Sequence, residues 1–291
     1  MPRPIATLCT ALACASLVAC APAPAAAELT GAERSELERA EGLLVQRCMA
    51  RQGFRYWPAP PLTADERRGS GYVLSDPGWA REHGYGGRLA RRAAAAKKDD
   101  PNLPYFAGLS EERRARYNAA FEGERDVLRL TAGLPSGGTI SGTFGGCTGE
   151  AKRLLFGDLG TWFRAGKIAM NLMPLYVPDL LADRRFVAAQ RDWSRCMARQ
   201  GHSYADPPEI RQALARLTDG MDATRAHAVE VRLAVAEATC ARQTSFADLA
   251  RSLERRYRER AARPYARELA DLGHLEREAL ERARRTLSSG A

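Results

Sequence analysis

Cysteine is the residue type whose number and positions point most directly to chemistry in this chain. Seven cysteines occur among 291 residues, and three of them, Cys9, Cys14 and Cys20, lie within or just after an N-terminal apolar stretch. The stretch runs from Ile5 to Ala19 and follows a single basic side chain, Arg3, which is the pattern of a secretory signal. It is shorter than the roughly 20 apolar residues that cross a bilayer as a helix.

The end of this stretch predicts covalent attachment of a lipid. Leu17-Val18-Ala19-Cys20 has the form of the bacterial lipobox, in which a small residue precedes the cysteine that receives diacylglycerol. We therefore predict that residues 1–19 are a lipoprotein signal peptide, that Cys20 is lipidated, and that the Pro/Ala-rich residues 20–29 are a tether. Cleavage after Ala25-Ala26-Ala27, which would give an ordinary secreted protein, is the alternative.

The four cysteines beyond the tether predict disulfide bonds, because an exported protein meets an oxidising compartment. They are Cys48, Cys147, Cys196 and Cys240. Four cysteines allow three pairings, and a repeated segment in the chain indicates which one forms. The two nearly identical copies are residues 47–56 and 195–204. The segments differ only at positions 54/202 and 55/203, and each contains one cysteine. Such a repeat indicates two related units with one disulfide each, and hence Cys48–Cys147 and Cys196–Cys240.

Helices must position these cysteines, since apolar residues recur around them at helical spacing. Thr30 and Glu33 have the capping-box form that begins a helix, and Gly53 and Gly201 suit the position just after the end of one. Helices are expected at 28–56, 110–121, 148–156, 158–173, 179–200, 208–217, 221–242 and 245–287, the last broken near Pro264. Residues 57–109 are expected to be mostly loop, 133–146 a Gly-rich loop, and no run alternates enough to predict a sheet.

The predicted fold class is therefore mainly α, with two related disulfide-stapled helical units and a long loop-rich insertion in the first. The first unit is expected to cover residues 30–178, with the insertion at 57–109, and the second unit residues 179–291. Trp57, Trp79, Tyr72 and Tyr85 of the insertion could line a cleft for a sugar or peptide, but packing in the core is the favoured interpretation.

Several segments resemble a known group of proteins. The paired Cys-Met-x-x-x-Gly-x-x-Tyr motifs, Trp79-Ala80-Arg81-Glu82-His83-Gly84-Tyr85-Gly86, and Leu109-Ser110-Glu111-Glu112 followed by Tyr117 are similar to segments of exported actinobacterial lipoproteins. Gly146-Cys147-x-Gly-Glu150-Ala151 and Trp193-x-x-Cys196-Met197 fit the same resemblance, which covers most of the chain after the signal. The resemblance implies export, a lipid and disulfides, and it implies no activity.

His83, Ser141 and Glu150 are the residues whose types suit hydrolytic chemistry. Ser141 could form a dyad with His83 or His227, and Glu150 could be a general acid. Structural roles are favoured instead: the Gly-rich segment around Ser141 can be a connector to Cys147, and Glu150 suits the first turn of a helix. We therefore predict no catalytic residue. No histidine or cysteine spacing indicates a metal site, and we expect neither a metal nor another cofactor.

The formal net charge of +9 comes almost entirely from arginine and bears on the choice of partner. A basic exported protein can bind anionic lipid headgroups, acidic wall polymers or an acidic protein. Arginine and glutamate alternate along residues 251–285, however, as on a solvated helix face. Nucleic acid is not expected as a partner, because export separates the protein from it and no recognition motif occurs.

These observations favour a protein anchored by its lipid to the outer face of the cell membrane. There it would be a non-catalytic binding or scaffolding module for an envelope protein or a cell-wall polymer. One alternative is an envelope hydrolase that acts on wall polymer or peptide through residues 72–146. Another is an adaptor for a membrane complex, which would expose a large apolar patch.

Overall fold

A computed structural model describes residues 28–69, 71–125 and 127–289. The predicted signal, most of the tether and Cys20 lie outside the described residues. The described chain is mainly α, as the sequence predicts, with one β-hairpin. Its helices are α1 (Gly31–Arg51), α2 (Ala64–Arg68), α3 (Pro77–His83), α4 (Gly87–Lys98), α5 (Asn102–Ala107), α6 (Glu111–Glu122), α7 (Gly146–Phe156), α8 (Leu159–Met170), α9 (Val177–Ala182), α10 (Arg184–Arg199), α11 (Pro207–Leu217), α12 (Ala223–Gln243), α13 (Phe246–Ala262) and α14 (Ala266–Ser288). Single 3-10 turns at Met173–Leu175 and Arg263–Tyr265 lie before α9 and α14.

Residues 57–109 contain four short helices, so the prediction that they are mostly loop is wrong. Thr63 and Asp76 are the N-cap residues of α2 and α3, and their side chains accept hydrogen bonds from the first-turn backbone. Gly84 and Gly86, with φ of 61° and 92°, allow the sharp turn between α3 and α4. These helices have 5 to 12 residues, too few for an apolar periodicity to be evident in the sequence.

Residues 128–144 form a β-hairpin, although no sheet is predicted. β1 (Leu128–Gly133) and β2 (Thr139–Phe144) pair antiparallel from Leu128↔Phe144 to Gly133↔Thr139. The strands lack a strong alternation because glycine and small polar residues occupy much of β2. A Cβ added at Gly142 would lie 2.9 Å from the ring of Phe163, so glycine is what allows α8 to pack closely on the strand.

The two copies of the repeated motif form the same local structure. α1 and α10 both end before a glycine with left-handed φ, 78° at Gly53 and 81° at Gly201. In each copy the next residue donates its backbone N–H to the carbonyl of the methionine that follows the cysteine, at 2.9 and 3.0 Å, as in a Schellman motif. Gln46 and Ser194, each two residues before the cysteine, donate to the carbonyl of the motif's tyrosine at 3.0 and 2.6 Å.

Each disulfide joins a motif helix to a second helix. Cys48–Cys147 joins α1 to α7 and Cys196–Cys240 joins α10 to α12, with Cα atoms 5.5 and 5.6 Å apart. These are the two pairs that the repeat predicts. Glu150 follows Cys147 by three residues, and Gln243 follows Cys240 by three residues. Each of these side chains places an oxygen 3.4 Å from the sulfur of the motif cysteine, Cys48 or Cys196. The local correspondence therefore extends beyond the repeated motif.

The helices before and after residue 178 pack into one another. α14 packs against α1, α7 and α8, and its Leu280 shares an apolar cluster with Leu37. In the other direction α3 packs on α12, where Trp79 contacts a cluster that includes Ala234. Leu29, in the predicted tether, is also buried in the first cluster. The predicted boundary at 178 thus does not separate two independent cores.

None of the helices in the described residues has both the length and the apolar character needed to cross a bilayer.

Candidate functional site

A pocket of about 360 Å³ lies between α4, α11 and α12. Its volume is within the range of small-molecule sites. The walls combine apolar side chains, one aromatic ring and a small number of charged or polar groups. The side chains that line it are Tyr85, Ala90, Arg91, Arg211, Leu214, Ala215, Thr218, Ala226, His227 and Glu230.

Glu230 of α12 fixes one wall of this pocket by capping α4. Its Oε1 accepts hydrogen bonds from the backbone N–H groups of Tyr85 at 2.9 Å and Gly87 at 2.8 Å. The N-cap residue of α4 is Gly86, which has no side chain to accept these bonds, so Glu230 takes that role. A Cβ added at Gly84 would lie 2.7 Å from Glu230 Cγ, and one at Gly87 would lie 2.8 Å from Oε2. Glycine at both positions lets the backbone approach the carboxylate.

His227 lies one helical turn before Glu230, and its side chain is only 9% exposed. Its Nδ1 is 3.6 Å from Glu230 Oε2, which is too far for a hydrogen bond, and it has no other partner among the described residues. A buried polar atom without a partner costs free energy and is unusual in a folded protein. Because Nδ1 is enclosed beside Glu230, the part of His227 that lines the pocket is the rest of its ring.

Glu237 lies two turns further along α12 and is fully buried. Oε1 accepts hydrogen bonds from the Leu74 backbone N–H at 2.7 Å and from Arg211 Nη2 at 3.0 Å, and Oε2 accepts from the Tyr85 hydroxyl at 2.8 Å. Burial raises the pKa of Glu237 above its usual value, although the Arg211 guanidinium opposes that shift. Burial and the adjacent Glu237 carboxylate raise the pKa of Tyr85 strongly, so its hydroxyl stays a proton donor.

Arg211 of α11 connects these groups to the preceding segment. Its Nη1 donates to the Tyr72 carbonyl at 2.8 Å, and its guanidinium lies 5.1 Å from the centre of the Tyr85 ring. Tyr72 in turn donates its hydroxyl to Gln190 at 2.9 Å, and burial raises the pKa of Tyr72 to about 12. This network ties residues 72–87 to α10, α11 and α12 and holds the pocket walls in place.

The three residues whose types suit hydrolysis do not meet. His83 lies on α3 against the ring of Trp79, with ring centres 5.0 Å apart. Ser141 is exposed on β2 with its Oγ 2.9 Å from Thr131 Oγ1, and Glu150 on α7 forms an ion pair with an arginine of α1. Within the described residues no hydrogen bond joins any two of the three, so the arrangement gives no support to a catalytic dyad at these positions.

A second, wider groove of about 1020 Å³ lies over the Cys48–Cys147 disulfide. Its acidic side chains, Glu112 and Glu150, are paired with arginines of neighbouring turns or helices. Neither of these carboxylates is buried, whereas the buried Glu230 holds the walls of the first pocket, which is therefore the stronger candidate. No group of three or more His, Cys, Asp or Glu residues in the described part of the chain could hold a metal ion.

The sequence did not indicate Glu230 and Glu237 as site residues. It did predict α12, with an apolar face through Leu233, Ala236 and Cys240, and the observable signal was two glutamates seven residues apart next to that face. Of the insertion's aromatic residues, Trp79 is buried, as the packing interpretation expects, whereas Tyr85 is only partly buried, donates to Glu237 and also lines the pocket. The Trp79–Gly86 segment, which carries part of the family resemblance, forms this contact with α12.

Comparison of the chain with protein-family models, curated proteins and solved structures finds no match.

Proposed function

We propose that the protein is an exported lipoprotein, held at the outer face of the cell membrane by a lipid on Cys20. We propose further that it is a non-catalytic binding module whose ligand occupies the pocket between α4, α11 and α12. The two disulfides support export, because structural disulfides persist in oxidising compartments. The lipid is argued from the lipobox alone. The observation that carries the binding role is the pocket itself, whose walls are held in place by the hydrogen bonds that Glu230 accepts from Tyr85 and Gly87.

The charged groups of the pocket support binding rather than catalysis because they already hold the fold together. Glu230 accepts two backbone N–H groups, and Glu237 accepts three hydrogen bonds while having no exposed surface. A general acid or base must reach the reacting atom, which a fully enclosed carboxylate does not do. Walls fixed in this way give a preformed pocket, which lowers the conformational cost of binding.

The pocket walls also favour a class of ligand. Tyr85, Leu214 and Ala226 offer an apolar surface, whereas Arg91 is exposed at the pocket and forms no ion pair among the described residues. His227 adds a hydrogen-bonding group next to this surface. We propose that the ligand is a small molecule or chain end with an apolar body and one anionic group.

The finer architecture is part of the proposal. The two motifs have matching helix ends, side-chain hydrogen bonds and disulfides. This match supports two related units, 30–178 and 179–291, each of which packs a segment against the other. In this view residues 72–98 of the first unit pack on the second, and α14 of the second packs on the first.

The lipid is tested by changing Cys20 to serine and separating cells into membrane and soluble fractions. The expected result is release of the Cys20→Ser protein when the membranes are washed with about 1 M salt, because screening removes electrostatic contacts with headgroups and leaves a lipid as the remaining anchor. Cys14→Ser, which alters a cysteine inside the signal, is the matched control and should leave the protein with the membrane. Retention of the Cys20→Ser protein would contradict the proposal.

The pocket is tested with 8-anilinonaphthalene-1-sulfonate, a fluorescent probe that has an aromatic body and one sulfonate. We expect saturable binding at one site, lost in Ala215→Trp because the new ring fills the exposed rim of the pocket. Ala228→Trp places the same ring on an exposed position of α12 that does not line the pocket, and it should leave binding unchanged. Equal binding by both variants would contradict the proposed site.

A further inference from the structure

α4 is the most one-sided charged helix of the described chain. Its 12 residues contain five cations and no carboxylate, and all five cations are exposed. They are Arg88, Arg91, Arg92, Lys97 and Lys98. None of them forms an ion pair or hydrogen bond with another described residue, whereas the arginines of α13 alternate with acidic residues. Leu89 is the single buried residue of α4, so nearly the whole helix faces solvent.

Four of these cations share one face of the helix. At 100° per residue, Arg88, Arg91, Arg92 and Lys98 fall within a sector of roughly 120°. The residues between them at 93–96 are all alanine, which adds no opposing charge. A flat, basic helical face without acidic residues is typical of a surface that contacts an anionic partner. We refer to Arg88, Arg91, Arg92 and Lys98 as the basic face.

The basic face lies close to the point where the tether joins the body. The N-terminal turn of α1 contacts α2, since a Cβ at Gly31 would lie 3.7 Å from Arg67 Cδ. α2 in turn packs against α4, and Arg92 is near enough to contribute to the lowered pKa of Glu66. One helix of five residues therefore separates the start of α1 from α4.

The length of the tether limits how far the body can move from its anchor. Seven residues lie between Cys20 and Glu28, the first described residue, and the eight Cα-to-Cα steps span at most roughly 29 Å when fully extended. A lipid on Cys20 would thus keep the end of the body that carries Glu28 close to the headgroups; α2, α4 and Arg258 of α13, which pairs with Glu28, lie near that end. The orientation in this step rests on the proposed lipid.

We propose that the basic face of α4 binds the anionic lipid headgroups of the membrane to which Cys20 is anchored. The contact is electrostatic, because the face offers cations and little apolar surface. It orients the body on the membrane and gives the single lipid anchor a second point of attachment.

The test uses the chain that begins at Ala21, which has no lipidation site. All residues of the four apolar clusters lie at or after Leu29, so this chain keeps the whole packed body. Co-sedimentation is measured with vesicles of phosphatidylcholine alone and of phosphatidylcholine with phosphatidylglycerol. We expect binding only to the anionic vesicles, and loss of binding when salt is raised from about 0.1 M to about 1 M, which shortens the screening length from about 10 Å to about 3 Å.

Two charge-matched triple variants decide whether α4 is responsible. Arg88→Gln/Arg92→Gln/Lys98→Gln should weaken binding by about 100-fold, since each cation near an anionic surface contributes about fivefold, or about 1 kcal/mol. Arg255→Gln/Arg256→Gln/Arg263→Gln removes the same charge from exposed positions around α13 and should change binding by no more than about twofold. Circular dichroism confirms that both variants remain helical.

Two results would overturn the inference. They are equal losses in the two variants and equal binding to neutral and anionic vesicles. Because the tested chain carries no lipid, these outcomes are independent of whether Cys20→Ser releases the full-length protein from membranes.

Discussion

Replacing Glu237 by alanine should destabilise the protein more than most single changes to its side chains. The substitution removes the acceptor of three hydrogen bonds. The Leu74 backbone N–H and the Arg211 guanidinium then have no partner. Leu74 is only 5% exposed, so water does not replace the lost acceptor there. Removing one member of a buried ion pair costs about 3–5 kcal/mol, and each buried donor left unsatisfied costs about 1–3 kcal/mol.

The partial exposure of Arg211 lowers that sum. Its side chain is 21% exposed, so water can solvate part of the abandoned charge. We therefore expect Glu237→Ala to lower the free energy of unfolding by about 4 kcal/mol, a large share of the roughly 5–15 kcal/mol typical of a domain. Glu237→Gln keeps an oxygen for Leu74 and Arg211 and removes a buried charge, so its cost should be only about 1 kcal/mol.

Urea unfolding followed by tryptophan fluorescence measures these changes, and hydrogen exchange localises them. Amide protection at Leu74 should fall in Glu237→Ala before global unfolding, because its N–H loses its acceptor, whereas Tyr85 and Gly87 keep Glu230 and should lose less protection. Glu259→Ala, at an exposed position of α13, is the control and should cost under about 0.5 kcal/mol. A loss below about 1 kcal/mol in Glu237→Ala would refute the reasoning.

The same residue predicts a pH dependence. Burial raises the pKa of Glu237, so the folded state holds this proton more tightly than the unfolded state does. Its contribution to stability is therefore complete below the ordinary carboxyl pKa and is lost as pH rises through the raised, folded value. The difference in free energy of unfolding between wild type and Glu237→Gln should follow this course, and a difference that is constant with pH would contradict the shift.

Three further predictions concern other parts of the structure. Removing Cys196–Cys240 or Cys48–Cys147 by paired Cys→Ala substitutions should cost about 4 and about 5 kcal/mol, from loop separations of 44 and 99 residues. Non-reducing peptide mapping should find those two pairs, and a Cys48–Cys196 peptide would contradict them. Tyr72 should ionise near pH 12 in absorbance titrations that are compared with Tyr72→Phe. The stability that its neutral form contributes is complete below about pH 10 and is lost as pH rises through about 12. Ionisation of Tyr72 near pH 10 would count against its burial. Gly87→Ala should lower the free energy of unfolding by about 1–3 kcal/mol, because the new methyl group meets Glu230, whereas Gly166→Ala, in open space on α8, should not.

The disulfides and the long helices could be predicted from the sequence because their signals are local. The capping box at Thr30, the glycine stops at Gly53 and Gly201, and the duplicated motif each depend on residues close together in the chain. The hairpin at 128–144 could not be predicted, because Gly142 within β2 is explained only by the ring of Phe163 that packs on it.

The pocket could not be predicted for a related reason. Glu230 and Tyr85 are 145 residues apart, and Glu237 and Leu74 are 163 residues apart, so no local pattern connects them. Only the folded arrangement of α3 and α4 on α12 shows that two glutamates of a helix are buried acceptors rather than surface charges. The Trp79–Gly86 segment could be recognised as a motif, but its contact partner could not.

The most direct test of the account is the mass of the N-terminal peptide of the mature protein, purified from membranes. A lipid-anchored protein should give a peptide that begins at Cys20 and carries the added mass of a thioether-linked diacylglycerol. An unmodified peptide that begins after Ala27 would contradict the lipid anchor, and it would show that the protein is secreted without one.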